Sequence, residues 1–79
     1  MDKIYKRLSE VFSDVFDEKI TVNPRTTAKD IEEWDSLNHI TLIDAVESEF
    51  GVRFSMGEVS GMKNVGEMAE IIAKRAKKL

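Results

Sequence analysis

The chain has 79 residues, no cysteine, 34% charged residues and a formal net charge of -3 at pH 7. A chain this short predicts a single domain, residues 1–79, whose core is too small for both a substrate cleft and a full catalytic apparatus, so we expect a non-catalytic binding or carrier protein. The missing cysteines exclude disulfides and thiolate metal sites, and the lack of a long apolar run or a signal-peptide block predicts a cytoplasmic protein that does not enter the membrane.

An amphipathic helix opens the chain, with Asp2 as its predicted N-cap. Its apolar residues recur with helical spacing on one stripe. The stripe consists of Ile4, Leu8, Val11, Phe12, Val15 and Phe16. This periodicity is lost from Asp17 to Glu33, where the only proline, Pro24, indicates a long ordered loop. We expect that apolar side chains pin the loop at its two ends, and that a loop this long has a function. These side chains are Ile20, Val22, Ile31 and Trp34.

The second helix is predicted from about Ser36 to Phe50, and Gly51 is its expected C-terminal stop. A helical wheel groups several side chains into one arc that must face the core. The arc contains His39, Leu42, Ile43, Val46 and Phe50. Because His39 lies in this arc, we expect it to pack there or to make a structural hydrogen bond.

The same wheel places Leu37 and Ile40 outside the core arc, on a flank that they share with Ser36, Asp44 and Glu47. A surface helix without a partner has little use for two apolar residues between acids, although single exposed apolar residues are common. The flank therefore predicts a face that binds a partner protein.

Two further helices complete the predicted fold. A short one follows Ser55, which forms the capping-box pattern with Glu58. A last one follows Asn64, a good N-cap with Glu67 three residues on. Its stripe consists of Val65, Met68, Ala69, Ile72 and Ala76, and its end carries Lys74, Arg75, Lys77 and Lys78, which suit the negative end of the helix dipole. We predict an all-α fold: a small four-helix bundle with a long first loop and a short third helix.

Acidic residues are concentrated in the middle of the chain. Residues 30–50 contain 7 acids and no Lys or Arg. This local charge favours basic protein partners and argues against nucleic-acid binding through this segment. We expect a monomer that binds neither nucleic acid nor membrane.

Ser36 has three possible roles that physical chemistry alone leaves open. It can cap the second helix, although Asp35 can do so equally well. It can act as a nucleophile with His39 as its base, but an orienting acid and an oxyanion hole are missing from the pattern. It can also carry a phosphate-linked group, which the free N–H groups and positive potential of a helix N-terminus favour.

The tripeptide Asp35-Ser36-Leu37 resembles the D-S-L motif of acyl carrier proteins, in which the serine bears 4′-phosphopantetheine. The similarity covers nearly the whole chain. An amphipathic helix, a long loop, D-S-L at the start of the second helix, "ESEFG" at its end and a final helix after "NVGE" occur in the family's order. D-S-L alone is a weak signal, but at this position in an acidic, cysteine-free chain of this length it is a strong one.

This resemblance implies that Ser36 is the attachment site and that coenzyme A donates the arm through a holo-acyl-carrier-protein synthase. The arm would hold acyl intermediates as thioesters for fatty-acid or polyketide-type biosynthesis. Partners would be acyl-transferring and condensing enzymes with basic docking patches, facing Asp35, Leu37, Ile40, Asp44 and Glu47. Trp34 before D-S-L looks more like carriers of specialised pathways. An aminoacyl, D-alanyl or peptidyl carrier remains an alternative, as does an unmodified helical interaction domain.

Overall fold

The computed structural model describes residues 2–77, which form four α-helices and no strand. The helices are α1 (Asp2–Phe16), α2 (Ser36–Phe50), α3 (Met56–Gly61) and α4 (Val65–Arg75). The predicted all-α fold, with a long first loop and a short third helix, is therefore confirmed. None of these helices in residues 2–77 is long and apolar enough to cross a membrane.

The core is built from the apolar stripes of α1, α2 and α4, as their periodicity predicts. Its largest fully buried side chains include Phe12, Phe50, Leu8, Leu42 and Met68. Trp34 closes the core from the loop side, with its ring edge-on to Phe12 at a centroid distance of 5.2 Å. The long loop therefore contributes to the core at its end nearest α2.

The two long helices end in the same way but with different residues. Gly51 adopts the left-handed conformation after α2 at φ 63°, and Val52 N–H donates to Glu47 O. Asp17 does the same after α1 at φ 53°, and Glu18 N–H donates to Ser13 O. The predicted C-terminal stop of α2 at Gly51 is thus confirmed. At the other end of α1 the prediction for Asp2 is wrong, because Asp2 lies in the first turn and does not precede it.

The long loop is ordered by hydrogen bonds to α1 and to the start of α4. At its start, Val22 N–H donates to the Ser9 hydroxyl of α1 at 3.0 Å. Further on, the N–H groups of Val65 and Gly66, at the start of α4, donate to Thr26 O and Pro24 O. A side chain on Gly66 would lie 2.8 Å from Pro24 O, so this close approach requires glycine. The predicted apolar anchors are confirmed: Val22, Ile31 and Trp34 are buried, and Ile20 packs against the core.

The predicted caps of α3 and α4 are confirmed. Ser55 and Glu58 form a reciprocal capping box at α3, and Asn64 Oδ1 accepts the Glu67 N–H at α4. Arg75 reaches back from α4 to Glu58, with its guanidinium 2.7 Å from the carboxylate. The helix ends at Arg75, so Lys77 follows the helix instead of closing it, and Lys78 lies outside the described residues.

Candidate functional site

Asp35, not Ser36, caps the second helix. Its backbone is extended, with φ -105° and ψ -177°, and its carboxylate accepts the N–H of Asn38 at 2.8 Å. Its carbonyl accepts the first helical bond, from His39 N–H. Ser36 is the first residue of α2 and follows the cap. The capping role that the sequence left open for Ser36 is therefore wrong.

The Ser36 hydroxyl is exposed at the positive end of the α2 dipole. Among residues 2–77 it makes no hydrogen bond, because the cap is already supplied by Asp35. Serine is one of the preferred N-cap residues, in which the side-chain oxygen accepts a backbone N–H of the first turn. Ser36 does not cap the helix, and it lies at a point where positive potential favours a phosphodiester. It therefore has the properties that an attachment site for a phosphate-linked group requires.

His39 is tied into the structure through both ring nitrogens. The Trp34 Nε1–H donates to His39 Nδ1 at 2.9 Å, and His39 Nε2 lies 3.0 Å from the carbonyl oxygen of Val59 in α3. An indole N–H can only donate, so Nδ1 is the acceptor and Nε2 carries the hydrogen that Val59 O accepts. The expected structural hydrogen bond of His39 is confirmed. With both nitrogens engaged, His39 has no free position from which to act as base for Ser36.

A surface cleft of about 520 Å³ lies beside Ser36, between the start of α2 and the α3 segment. Apolar side chains cover much of its wall, and they come from the loop end, α2 and the α3 region. They include Trp34, Ile40, Val59 and Met62. Lys63 lies at this cleft and contributes a positive charge, whereas Asp35 contributes a negative one. The cleft thus offers partly apolar shelter next to the free hydroxyl.

The flank predicted from the wheel is largely present at the surface. Leu37 is 80% exposed and Ile40 is 56% exposed, and Asp44 is exposed as well. Glu47 differs, since it is only half-exposed and its carboxylate accepts the backbone N–H of Phe54 at 2.8 Å. Glu47 thus also fixes the turn after α2, a role that the wheel could not show because Phe54 lies outside the helix.

Two further features were missed by the sequence interpretation, one at α3 and one in the long loop. Met56 at the start of α3 is 84% exposed, and its place directly after the capping residue Ser55 was the available signal. Glu18 meets Glu33 from the other end of the loop, and their carboxyl–carboxyl hydrogen bond raises the pKa of Glu18, with repulsion from Glu33 adding to the effect. No spacing rule brings these two residues together.

Comparison with known proteins assigns the family. Residues 6–72 match the family described as phosphopantetheine attachment site. The fold also matches the solution NMR structure of a holo acyl carrier protein from Geobacter metallireducens, with a TM-score of 0.84 and 37% sequence identity. The match covers 91% of this chain and 84% of that chain. The chain belongs to the acyl carrier protein family.

Family membership implies a prosthetic group, and the residues at the start of α2 can be compared with what such a group needs. Acyl carrier proteins of this family bear a phosphopantetheine prosthetic group, interact with a synthase and with biosynthetic enzymes, and are generally non-catalytic. The residues present here fit such a group, because the Ser36 hydroxyl is exposed, unbonded within residues 2–77 and next to a cleft. Among curated proteins, none gives a significant sequence match.

Proposed function

We propose that Ser36 is the residue of this acyl carrier protein that carries 4′-phosphopantetheine, donated by coenzyme A through a holo-acyl-carrier-protein synthase. The observation that supports this most is that Asp35 and Ser36 have different roles at the start of α2. Asp35 caps the helix through Asn38 N–H, which leaves the Ser36 hydroxyl exposed and without a hydrogen-bond partner among residues 2–77. The N–H groups and dipole of the helix start favour a phosphodiester at this oxygen.

The protein's own part in this function is to position the arm and to protect the acyl group that the arm holds. The arm, when bound, supplies the thiol that holds an acyl group as a thioester, since the chain itself has no cysteine. Ser36 fixes the point of attachment, α2 keeps that point at the surface, and the partly apolar wall of the adjoining cleft would shield part of what is bound there. We infer a non-catalytic, single-domain, cytoplasmic carrier that serves fatty-acid or polyketide-type enzymes.

We further propose that the flank of α2 is the docking face for the synthase and for the enzymes that use the acyl group. Leu37 and Ile40 expose apolar surface beside Ser36, with Asp35 and Asp44 as the nearby acidic residues. Partners should therefore present Arg and Lys around a small apolar patch. Electrostatic attraction of this kind mainly raises the association rate and is screened over about 8 Å at physiological salt.

A short acyl chain can shelter in the cleft beside Ser36, and this too is a proposal. Trp34, Ile40, Val59 and Met62 give the cleft apolar wall. Burial of each methylene group contributes about 0.8 kcal/mol. Acylated protein should therefore melt at a higher temperature than the form with an unloaded arm, with a gain that grows over the first few carbons.

The attachment proposal is tested by incubating the protein with coenzyme A and a holo-synthase and measuring its intact mass. Wild type should gain the mass of one phosphopantetheine, and Ser36→Ala should gain none. Because Ser36 is not the cap, the substitution should change the free energy of unfolding by less than about 0.5 kcal/mol. Circular dichroism of the variant checks that the fold is retained.

Ser60 provides a matched control, since it is another exposed serine at the same cleft but is not at the start of a long helix. Ser60→Ala should be modified as readily as wild type. Modification that persists in Ser36→Ala, or that is lost in Ser60→Ala, would contradict the assignment. An unmodified wild-type protein would favour the helical interaction domain instead.

A further inference from the structure

α3 is held to the rest of the protein by few contacts. None of its residues is buried, and its apolar attachment to the core comes through half-buried Val59, with Met62 following the helix. Two polar side-chain contacts reach it from other helices. One is the exposed ion pair between Glu58 and Arg75, and the other is the hydrogen bond from His39 to Val59 O.

These two polar contacts differ in their surroundings. The Arg75 side chain is 51% exposed, and surface ion pairs of this kind contribute little because water and salt screen them. The His39 ring is half-buried and lies between Trp34 and Val59, so loss of the His39 side chain leaves an indole N–H and a carbonyl short of partners. His39 therefore contributes the stronger polar attachment of α3 to α2.

We propose that Trp34 and His39 form a latch that holds α3 as one wall of the cleft beside Ser36, and that this latch controls how far the cleft opens for an acyl chain. The proposal rests on the carrier function proposed above. Trp34, His39 and Val59 all line the cleft, so the three groups joined by the latch are also the groups that bound it. The core itself is tightly packed, with Leu42, Val46 and Met68 fully buried.

The latch acts through the position of α3, so Trp34 and His39 are positioning residues. An acyl chain longer than the cleft can hold needs a wall to move, and α3 is the helix without a buried residue. Moving α3 away from α2 breaks the bond between His39 and Val59 O. The indole of Trp34 fixes the ring of His39 from the other side, and Trp34 is itself buried against Phe12. The length of acyl chain that the cleft can accept therefore depends on the strength of the latch.

The first test uses the unmodified protein, so its outcome does not depend on Ser36 being modified. Nitrogen NMR of the His39 imidazole should show hydrogen on Nε2 and none on Nδ1. Amide hydrogen exchange in α3, including Val59 N–H, which donates to Ser55 O, should be about five-fold faster in His39→Leu. His39→Gln should restore exchange to near wild type, because an amide side chain offers both an acceptor and a donor.

Asn38 provides the matched control. Its side-chain amide donates to Glu33 O at 2.8 Å, so it ties the loop to the same turn of α2 without reaching α3. Asn38→Ala should leave exchange in α3 at the wild-type rate. Hydrogen on Nδ1, or equal α3 exchange in wild type and His39→Leu, would overturn the latch.

The second test uses protein loaded with a series of acyl groups of increasing length. The melting temperature of wild type should stop rising at a shorter chain than that of His39→Leu, in which α3 moves more easily. His39→Gln should follow wild type. The same dependence on chain length in wild type and His39→Leu would overturn control of the cleft by the latch. Failure of Ser36 to accept the arm would overturn the proposed function while leaving the first test intact.

Discussion

The helices α1 and α2 are each 15 residues long, yet they use their apolar residues differently. In α1 the large apolar side chains are buried or half-buried, so folding accounts for all of them. In α2 four such side chains are buried, but Leu37 and Ile40 are 80% and 56% exposed. Folding alone does not explain the second pair.

This difference between the two helices bears on the docking face proposed for α2. A helix needs one apolar stripe to pack, and α1 has one stripe and little more. α2 has a stripe and, beside the free hydroxyl of Ser36, exposed apolar residues with acidic Asp44 near them. The docking face proposed above would account for this surplus, and the following predictions separate what α1 and α2 each contribute.

The largest contrast should be between Phe12→Ala in α1 and Leu37→Ala in α2. Phe12 is fully buried, so its truncation should lower the free energy of unfolding by about 3–5 kcal/mol. This is a large part of the roughly 4–12 kcal/mol expected for a domain of this size. Leu37→Ala should change it by less than about 0.5 kcal/mol. Urea unfolding of both variants measures the difference, and comparable losses would mean that Leu37 is structural.

For the rate at which a holo-synthase modifies Ser36, we expect changes on the exposed flank of α2 to matter, although they hardly affect stability. Asp44→Lys should slow the reaction several-fold at low salt, with the effect fading as salt screens the charge. Leu37→Ala should slow it about equally at low and high salt. Glu47 is unsuitable for charge reversal, because its carboxylate also holds Phe54 N–H. Initial rates across a salt series measure both variants.

Glu10→Lys is the matched control, since it makes the same charge reversal at an exposed position of α1. It should leave the rate near that of wild type. If Glu10→Lys and Asp44→Lys slow the reaction equally, only the overall charge matters and α2 has no special docking face.

The residues that follow the C-terminal ends of α1 and α2 should differ in their effect on the free energy of unfolding. Gly51 occupies the left-handed conformation without strain, so Gly51→Ala should lower the free energy of unfolding by about 1–2 kcal/mol. Asp17 adopts nearly the same conformation with a side chain, so Asp17→Gly should raise it by up to about 1 kcal/mol. Urea unfolding tests both variants, and a loss of stability in Asp17→Gly would contradict the geometric explanation.

The smallest effect should come from Glu18, just after α1. Its pKa is raised by the hydrogen bond to Glu33 and by repulsion, so the folded state favours the protonated carboxyl. The stabilising contribution of this proton is present in acid and is lost as pH rises through the raised pKa. Glu18→Gln should therefore melt slightly higher than wild type at neutral pH and equal to it in acid. A difference that is constant with pH would exclude this cause.

The sequence was sufficient to predict the helices, the caps of α3 and α4 and the buried stripes, because these depend on spacing within a few residues. The stripe of α2 and the stop at Gly51 are examples. Contacts between distant segments were not predictable in this way. The bridge from Trp34 through His39 to Val59 O and the bond from Phe54 N–H to the Glu47 carboxylate depend on how the loop and the segment around α3 meet α2.

Ser36 shows the same limit at a single residue. Its sequence position allowed a cap, a nucleophile or an attachment point, and only the resemblance of D-S-L to acyl carrier proteins favoured the last. The structure excludes the capping role for Ser36, because Asp35 supplies the cap. It also excludes His39 as the base for Ser36, because both ring nitrogens are engaged.

The central claim, that Ser36 alone carries the arm, is tested most directly on the protein isolated from its native cell. Fragmentation of the intact protein by mass spectrometry places any added mass on a residue. We predict one phosphopantetheine on Ser36, with or without an acyl group on its thiol. The same mass on Ser60 or on any other residue, with Ser36 unmodified, would contradict the account.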